Sequence, residues 1–207
     1  MVETGTKTPG RKRGRPTETE RAQRRDDILD ASVRLFVAEG FEPVTLDRIA
    51  AEAHVTKRTI YSYLGDRTDL FLAAVDRLAE RTLREADSVH ELERLATAIV
   101  RTLHSDDAVG LHRLVITESR RFPDLAERFY REGPQRYIDA LRAALPDVDP
   151  PRREKLADAL FSLLLGEPHR KRLLGLASEP DSEWPAAHAR GVLALLQVMS
   201  FEEGSRA

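Results

Sequence analysis

Residues 56–64 read TKRTIYSYL. Wound as a helix at about 100° per residue, this segment puts Lys57, Arg58, Tyr61 and Ser62 on one face and turns Ile60 and Leu64 away from it. The outer face then carries two cations, a phenol and a small hydroxyl. Arg and Lys donate to the acceptor edges of guanine, and hydroxyls serve either a base or a phosphate, so this set of groups suits a major groove. A second basic cluster lies far upstream. Arg11, Lys12, Arg13 and Arg15 are packed into five residues ahead of Pro16, in a chain whose formal net charge is only -2. The partner is indicated by where the charge is concentrated, since the total is close to neutral.

These groups need a scaffold, and the surrounding sequence supplies short helices. Residues 1–16 hold Gly, Pro, Thr and basic residues with almost nothing apolar, a composition expected to be disordered in isolation. Thr17 with Glu20 three residues on reads as a capping box. Ile28, Ala31, Leu35 and Phe36 then recur on one helical face, and Gly40 is expected to close the helix as a left-handed cap. Pro43 breaks the chain and Thr45 caps the next helix, whose inner face is Leu46, Ile49, Ala50 and Ala53. His54-Val55 is a turn, Thr56 caps again, and Gly65 ends the third helix before Asp66 caps a fourth. Two short helices joined by so tight a turn form a helix-turn-helix, whose second helix normally enters the groove.

From residue 67 onward the pattern is helical throughout. Spans are expected near 67–84, 88–104, 106–121, 124–145, 151–176 and 183–201, with Gly133-Pro134 kinking the fourth of these. The fold class is therefore all-α: a basic arm at 1–16, a three-helix helix-turn-helix domain at 17–66 and a larger helical domain at 67–207. No apolar run approaches the ~20 residues needed to span a bilayer. The polar N-terminus lacks a signal-like apolar segment, so a soluble, cytoplasmic protein is expected. The absence of cysteine rules out disulfides, thiolate zinc sites and cysteine nucleophiles. No nucleophile motif, glycine-rich phosphate loop or paired metal motif is found, and no enzyme activity or cofactor is expected. His104, Asp106, Asp107 and His112 hold metal-ligand chemistry, but Ser105 and Asp106 read more simply as helix N-cap residues.

The segment TLDRIAAEAHVTKRTIYSYLGDRTDL resembles the DNA-binding signature of the TetR family of transcriptional regulators. Thr45, Ile49, Ala50, Ala53, Val55, Thr59, Tyr61, Tyr63, Asp66 and Leu70 match its pattern, and RLFVAEGFEPVT fits the family's lead-in. Three departures stand out. His54 replaces the usual turn glycine, where positive φ is expected and His is among the more tolerant residues. Leu64 replaces a Phe, and Arg67-Thr68 replaces Lys-Glu. The resemblance implies phosphate contacts from Thr45, Tyr61, Tyr63 and Arg67, with Lys57, Arg58, Thr59 and Ser62 nearest the bases behind the Thr56 cap. RGRP at residues 13–16 matches a minor-groove element, which makes Arg11, Lys12, Arg13 and Arg15 a DNA-binding arm.

Two further segments, LVITESRRFPDLAERFYREGPQR and ADALFSLLLGEPHRKRLLG, resemble one C-terminal subtype of the family. This implies a ligand pocket between the middle helices, with Phe129, Tyr130, Tyr137, Phe161 and Trp184 as candidate lining. It also implies a homodimer through the last two helices, with Leu156, Leu160, Leu163, Leu164, Val192, Leu195 and Leu196 at the interface. The expected partners are thus a double-stranded operator, a second copy of the chain and a small-molecule effector, in a regulator that is a repressor by family frequency. A regulator without such an effector is the alternative, and a closed, fully packed interior would favour it.

Overall fold

A computed structural model describes residues 17–86 and 92–204, with side chains through residue 196. The basic arm with Arg11, Lys12, Arg13 and Arg15 lies outside the described residues. Within them the chain forms α-helices and no strand: α1 (Glu18–Glu39), α2 (Leu46–Glu52), α3 (Lys57–Tyr63), α4 (Arg67–Ala86), α5 (Leu92–Leu103), α6 (Asp106–Glu118), α7 (Pro123–Glu132), α8 (Pro134–Ala144), α9 (Pro150–Leu173) and α10 (Trp184–Gly204).

The caps follow the local chemistry. Thr17 Oγ1 accepts from Glu20 N at 3.2 Å while Glu20 Oε2 accepts from Thr17 N at 2.9 Å, the reciprocal pair of a capping box. Gly40 closes α1 with its N–H on Phe36 O at 3.0 Å, but not as the left-handed cap expected. Its φ of 89° is paired with an extended ψ of 174°, a region essentially reserved for glycine.

Two apolar cores result. The first gathers Phe36 of α1, Phe41, Ile49 of α2, Ile60 of α3 and Phe71 of α4, together with Leu111 of α6 and Leu125 of α7. The three-helix head thus shares one core with α4, α6 and α7, and the expected division at residue 66 runs through packed side chains. The second core joins α4 and α5 to α8, α9 and α10 through residues such as Ile99, Leu141, Leu160 and Ala189. Where α6 crosses α1 the approach is closest at Gly110: a Cβ there would lie 2.6 Å from both Val37 methyls. Gly110→Ala should therefore strain the α1–α6 crossing and cost about 1–3 kcal/mol, partly offset by the roughly 0.5–1 kcal/mol helix advantage of Ala over Gly. Urea unfolding reads this directly, and an unchanged midpoint would mean the two helices part freely.

Three expectations need correction. The helix expected at 124–145 is two helices rather than one kinked helix. Gly133, at φ -114° and ψ -91°, leaves helical geometry ahead of Pro134, which disfavours helical φ/ψ in its predecessor. The helix expected at 151–176 is interrupted at Gly166 (φ 55°, ψ -160°), two residues before Pro168. Pro168 has no N–H to give the carbonyl four residues back, at Leu164. That orphaned carbonyl is met instead by His104 Nε2 at 3.2 Å and His188 Nε2 at 3.1 Å. Finally, Leu160, Leu164 and Val192, expected at a dimer interface, are buried inside a single chain. Of that set, Leu163 and Leu195 are exposed, and Leu156 and Leu196 are partly buried.

Candidate functional site

The α2–α3 unit is built from two caps, one turn and one buried anchor. Thr45 Oγ1 accepts from Arg48 N at 3.3 Å to start α2. After Ala53 the chain reverses at His54, whose φ of 53° supplies the positive angle the turn needs. Thr56 Oγ1 accepts from Thr59 N at 3.1 Å and lies 2.8 Å from Thr59 Oγ1, which starts α3. Ile60 is wholly buried and fixes the rotation of α3 about its axis. Its neighbours Lys57, Arg58, Tyr61 and Ser62 consequently all face outward, Tyr61 with 54% of its surface exposed. A cap hydroxyl that accepts from the backbone keeps its own proton for a phosphate oxygen, so Thr45 can do both tasks.

The outer face is not equally free. Lys57 Nζ donates to Asp47 Oδ2 of α2 at 2.9 Å, and this hydrogen bond and the carboxylate's charge raise its pKa. Ser62 Oγ donates to Thr59 O at 2.9 Å. Thr59 and Tyr63 are partly buried, at the edge of the face rather than its centre. Arg67, expected at a phosphate, is already engaged. Its guanidinium donates to Glu42 O at 2.7 Å and Val44 O at 3.3 Å and sits 4.5 Å from the Phe41 ring centroid. In this conformation Arg67 holds the segment before α2 in place. Asp66 and Asp69 cap α4 reciprocally, Asp69 N donating to Asp66 Oδ1 at 2.9 Å.

The larger region encloses a cavity of about 390 Å³ between α4, α5, α6, α7, α8 and α9. Phe129, Tyr130, Tyr137 and Phe161 line it. Trp184 does not; it stacks on His188 one turn along α10, with ring centroids 4.6 Å apart, and lies 4.9 Å from His104. The wall is mostly aliphatic and aromatic and carries no Lys, Arg, Asp or Glu. Its polar groups include Thr102 and Tyr137, which meet at Thr82: Thr102 Oγ1 is 2.6 Å from Thr82 Oγ1, and the Tyr137 hydroxyl donates to it at 3.5 Å. Burial pushes the Tyr137 phenol up to about 12.

Two histidines are among the cavity residues that the sequence reading did not offer as lining groups: His112 and His169. They lie on α6 and α9, far apart in the chain, with ring centroids 5.3 Å apart. His169 in turn contacts His104 edge-on at 5.3 Å. Burial lowers the pKa of all three rings, to about 4 for His104 and His169. The metal-ligand set that includes His104, Asp106, Asp107 and His112 is dispersed. Asp106 Oδ1 accepts from Arg172 at 2.7 Å, and Ser105 caps α6, accepting from Ala108 N at 3.3 Å. Among the described residues no cluster of three His, Asp or Glu is arranged to hold a metal ion.

With this geometry in hand, comparison with known proteins is specific. Residues 28–74 match the model of bacterial regulatory proteins of the tetR family, and residues 90–197 match the model described as AefR-like transcriptional repressor, C-terminal domain. Among curated proteins, the regulator HbdR of Aromatoleum sp. is 35% identical over 37% of this chain and 36% of its own length. The uncharacterized regulator YdeS of Bacillus subtilis is 35% identical over 50% of this chain and 52% of its own. The chain thus spans about a third to a half of these two relatives. A solved TetR-family regulator from Mesorhizobium loti superposes with a TM-score of 0.70 at 22% identity, covering 87% of this chain and 98% of its own, which speaks to fold. The flavonoid-responsive regulator FrrA superposes with a TM-score of 0.59 at 27% identity, covering 84% of this chain and 95% of its own. The exposed polar face of α3, the capped turn before it and the two family matches agree: the chain belongs to the TetR family of helix-turn-helix transcriptional regulators.

Proposed function

We propose that this DNA-binding regulator is a homodimeric repressor, released from a palindromic operator by a small molecule held in the cavity between α4 and α9. The observation that carries the reading is the pairing, in one chain, of an outward polar face on α3 with a walled apolar cavity one core away. Each subunit would place Lys57, Arg58, Tyr61 and Ser62 in one major groove, with Thr45 and Tyr63 on flanking phosphates. The exposed Leu163 and Leu195, on α9 and α10, would meet a second copy. Two half-sites then match two heads, and a ligand that changes their separation lowers affinity for both at once. The model that matches residues 90–197 describes a repressor, and one structural relative is flavonoid-responsive; both favour this reading over a regulator without an effector. A closed, fully packed interior would have favoured that rival, and the cavity leaves it without that support.

Titration of the protein against DNA fragments flanking its own gene tests the DNA side. One fragment should bind tightly and saturably, and Tyr61→Ala should weaken it about tenfold, as expected for losing a hydrogen bond at a charged phosphate. Tyr61 lies outside the core, so the variant keeps its fold. Deleting residues 1–16 should flatten the salt dependence by roughly 0.9 in log–log slope for each phosphate the arm neutralises. Equal binding of all fragments by wild type and Tyr61→Ala would overturn the assignment of α3 as the reading helix.

A further inference from the structure

The cavity wall constrains what can enter it. Among the described residues lining it there is no Lys, Arg, Asp or Glu, and burial keeps the His112 and His169 imidazoles neutral at pH 7. A carboxylate ligand would find no cation there, and an ammonium no carboxylate, so either would lose its hydration without compensation. The polar groups differ in what they have left to give. Thr82 Oγ1 donates to Leu78 O at 2.7 Å, so it can only accept from Thr102 and Tyr137, which spends both their hydroxyl protons. Ser119 Oγ donates to Ile116 O at 3.1 Å. His169 is 4% exposed and closed in between the His104 and His112 rings, with centroids 5.3 Å from each. The Tyr130 hydroxyl belongs to a side chain half exposed to solvent, and of the two imidazoles His112 is the more accessible. Burial alone perturbs it, and among the described residues no hydrogen bond reaches its ring. It offers one donor and one acceptor nitrogen beside the Phe129 ring, whose centroid is 5.6 Å away.

Building on the effector reading above, we infer that the cavity takes an uncharged, largely apolar aromatic ligand bearing a hydroxyl, and that His112 is the residue that hydrogen-bonds this hydroxyl. A phenol or aryl alcohol both donates and accepts through one oxygen, which is what a neutral imidazole offers in return. Its ring is housed among Phe129, Tyr137 and Phe161, where aromatic contacts add to the apolar burial. His112 thereby sets which ligands are recognised, and the aliphatic wall supplies the bulk of the affinity.

Four probes on one naphthalene frame test this on the full-length protein by calorimetry: 2-naphthol, 2-methylnaphthalene, 2-naphthoate and (2-naphthyl)methylammonium. The naphthol should bind about tenfold more tightly than the hydrocarbon. The two ions should bind on the order of 100-fold more weakly than the naphthol, because each pays desolvation without a partner. His112→Phe and His112→Leu should bring naphthol and hydrocarbon to the same affinity, and thermal unfolding verifies that at least one of the two is folded. Tightest binding by either ion, or an unchanged naphthol preference in the folded His112 variant, overturns the inference. The same four probes are added to the operator complex. If naphthol and hydrocarbon bind equally and release DNA, the hydroxyl assignment fails while the effector reading stands. If none of the four binds or releases DNA, the ligand-class inference fails, and release by some other small molecule then decides the effector reading alone.

Discussion

Acidification from pH 7 to pH 5 should destabilise the protein by several kcal/mol, and two buried imidazoles account for the loss. His104 is 1% exposed and His169 4%, and both are pushed down to about 4, chiefly by burial, with the charges of neighbouring histidines and Arg172 adding to it. In the unfolded chain the same rings take up a proton near the ordinary value of about 6.5. Between those values the unfolded state binds more protons than the folded one, so stability falls as pH falls. It is fully present above pH 6.5 and lost progressively down to pH 4. The whole shift is worth on the order of 3 kcal/mol for one ring, and a proton on either ring makes the other harder to protonate in the folded chain. Geometry gives the same sign. His104 Nε2 is committed to the Leu164 carbonyl, and its Nδ1 is buried with no partner. A lone pair tolerates that position, but the N–H of an imidazolium would be a buried donor with no acceptor. Urea unfolding at pH 7.5, 6 and 5 measures the slope. His104→Gln places an amide N–H where Nε2 meets Leu164 O and does not titrate, so its stability should vary less over this range, by about 2 kcal/mol. A wild type equally stable at pH 5 and pH 7.5 would mean the pair is open to water.

Some of this was legible in the residues and some could not have been. The caps at Thr17, Thr45, Thr56 and Ser105 are local chemistry, decided within four residues, and each accepts from the backbone as its type suggests. The positive φ at His54 was legible for the same reason. Orientation on long helices was harder. Along α9, Leu160 and Leu164 point into the chain's own core while Leu163 is 36% exposed, although all three sit in one apolar run. Only the position of α5, α8 and α10 decides which side of that run is inward. The Gly166 break had a signal in Gly166-Glu167-Pro168 that the surrounding helical pattern outweighed. Arg67 has the chemistry of a phosphate contact, and nothing in its neighbourhood announces that the Glu42 and Val44 carbonyls would claim it. The pairing of His112 with His169, and the exclusion of Trp184 from the cavity, depend on how α6, α9 and α10 cross. Residue type carries no record of such crossings.

Phe71→Ala should be the most damaging single truncation in the core that the head shares with α4, at about 3–5 kcal/mol of stability. Phe71 is wholly buried and meets three rings: Phe36 at 5.8 Å, Phe41 at 6.0 Å and Phe129 at 6.3 Å between centroids. Each such pair contributes roughly 0.5–1.5 kcal/mol beyond the area it buries, and the hole left by alanine is bounded by rings that cannot all close on it. Against a total of about 5–15 kcal/mol for an ordinary domain, this loss is a large fraction. Chemical unfolding tests it, and a loss under 1 kcal/mol would mean the cluster repacks. The same ring lies between the two functional regions. Phe129 is part of the cavity wall, while Phe36 and Phe41 support α1 and the segment before α2, with Arg67 over Phe41. A ligand that moves Phe129 therefore presses on the head through Phe71. Phe71→Leu keeps the core filled at under about 1.5 kcal/mol but removes the flat contact. It should bind operator like the wild type and show a ligand-induced loss of affinity smaller by roughly 0.5–2 kcal/mol. The measurement is operator affinity with and without a releasing ligand, at equal saturation of both proteins. Undiminished release in Phe71→Leu would move the route to the second link between α4 and α1, where the buried Arg77 binds Asp30 and the Asp26 carbonyl.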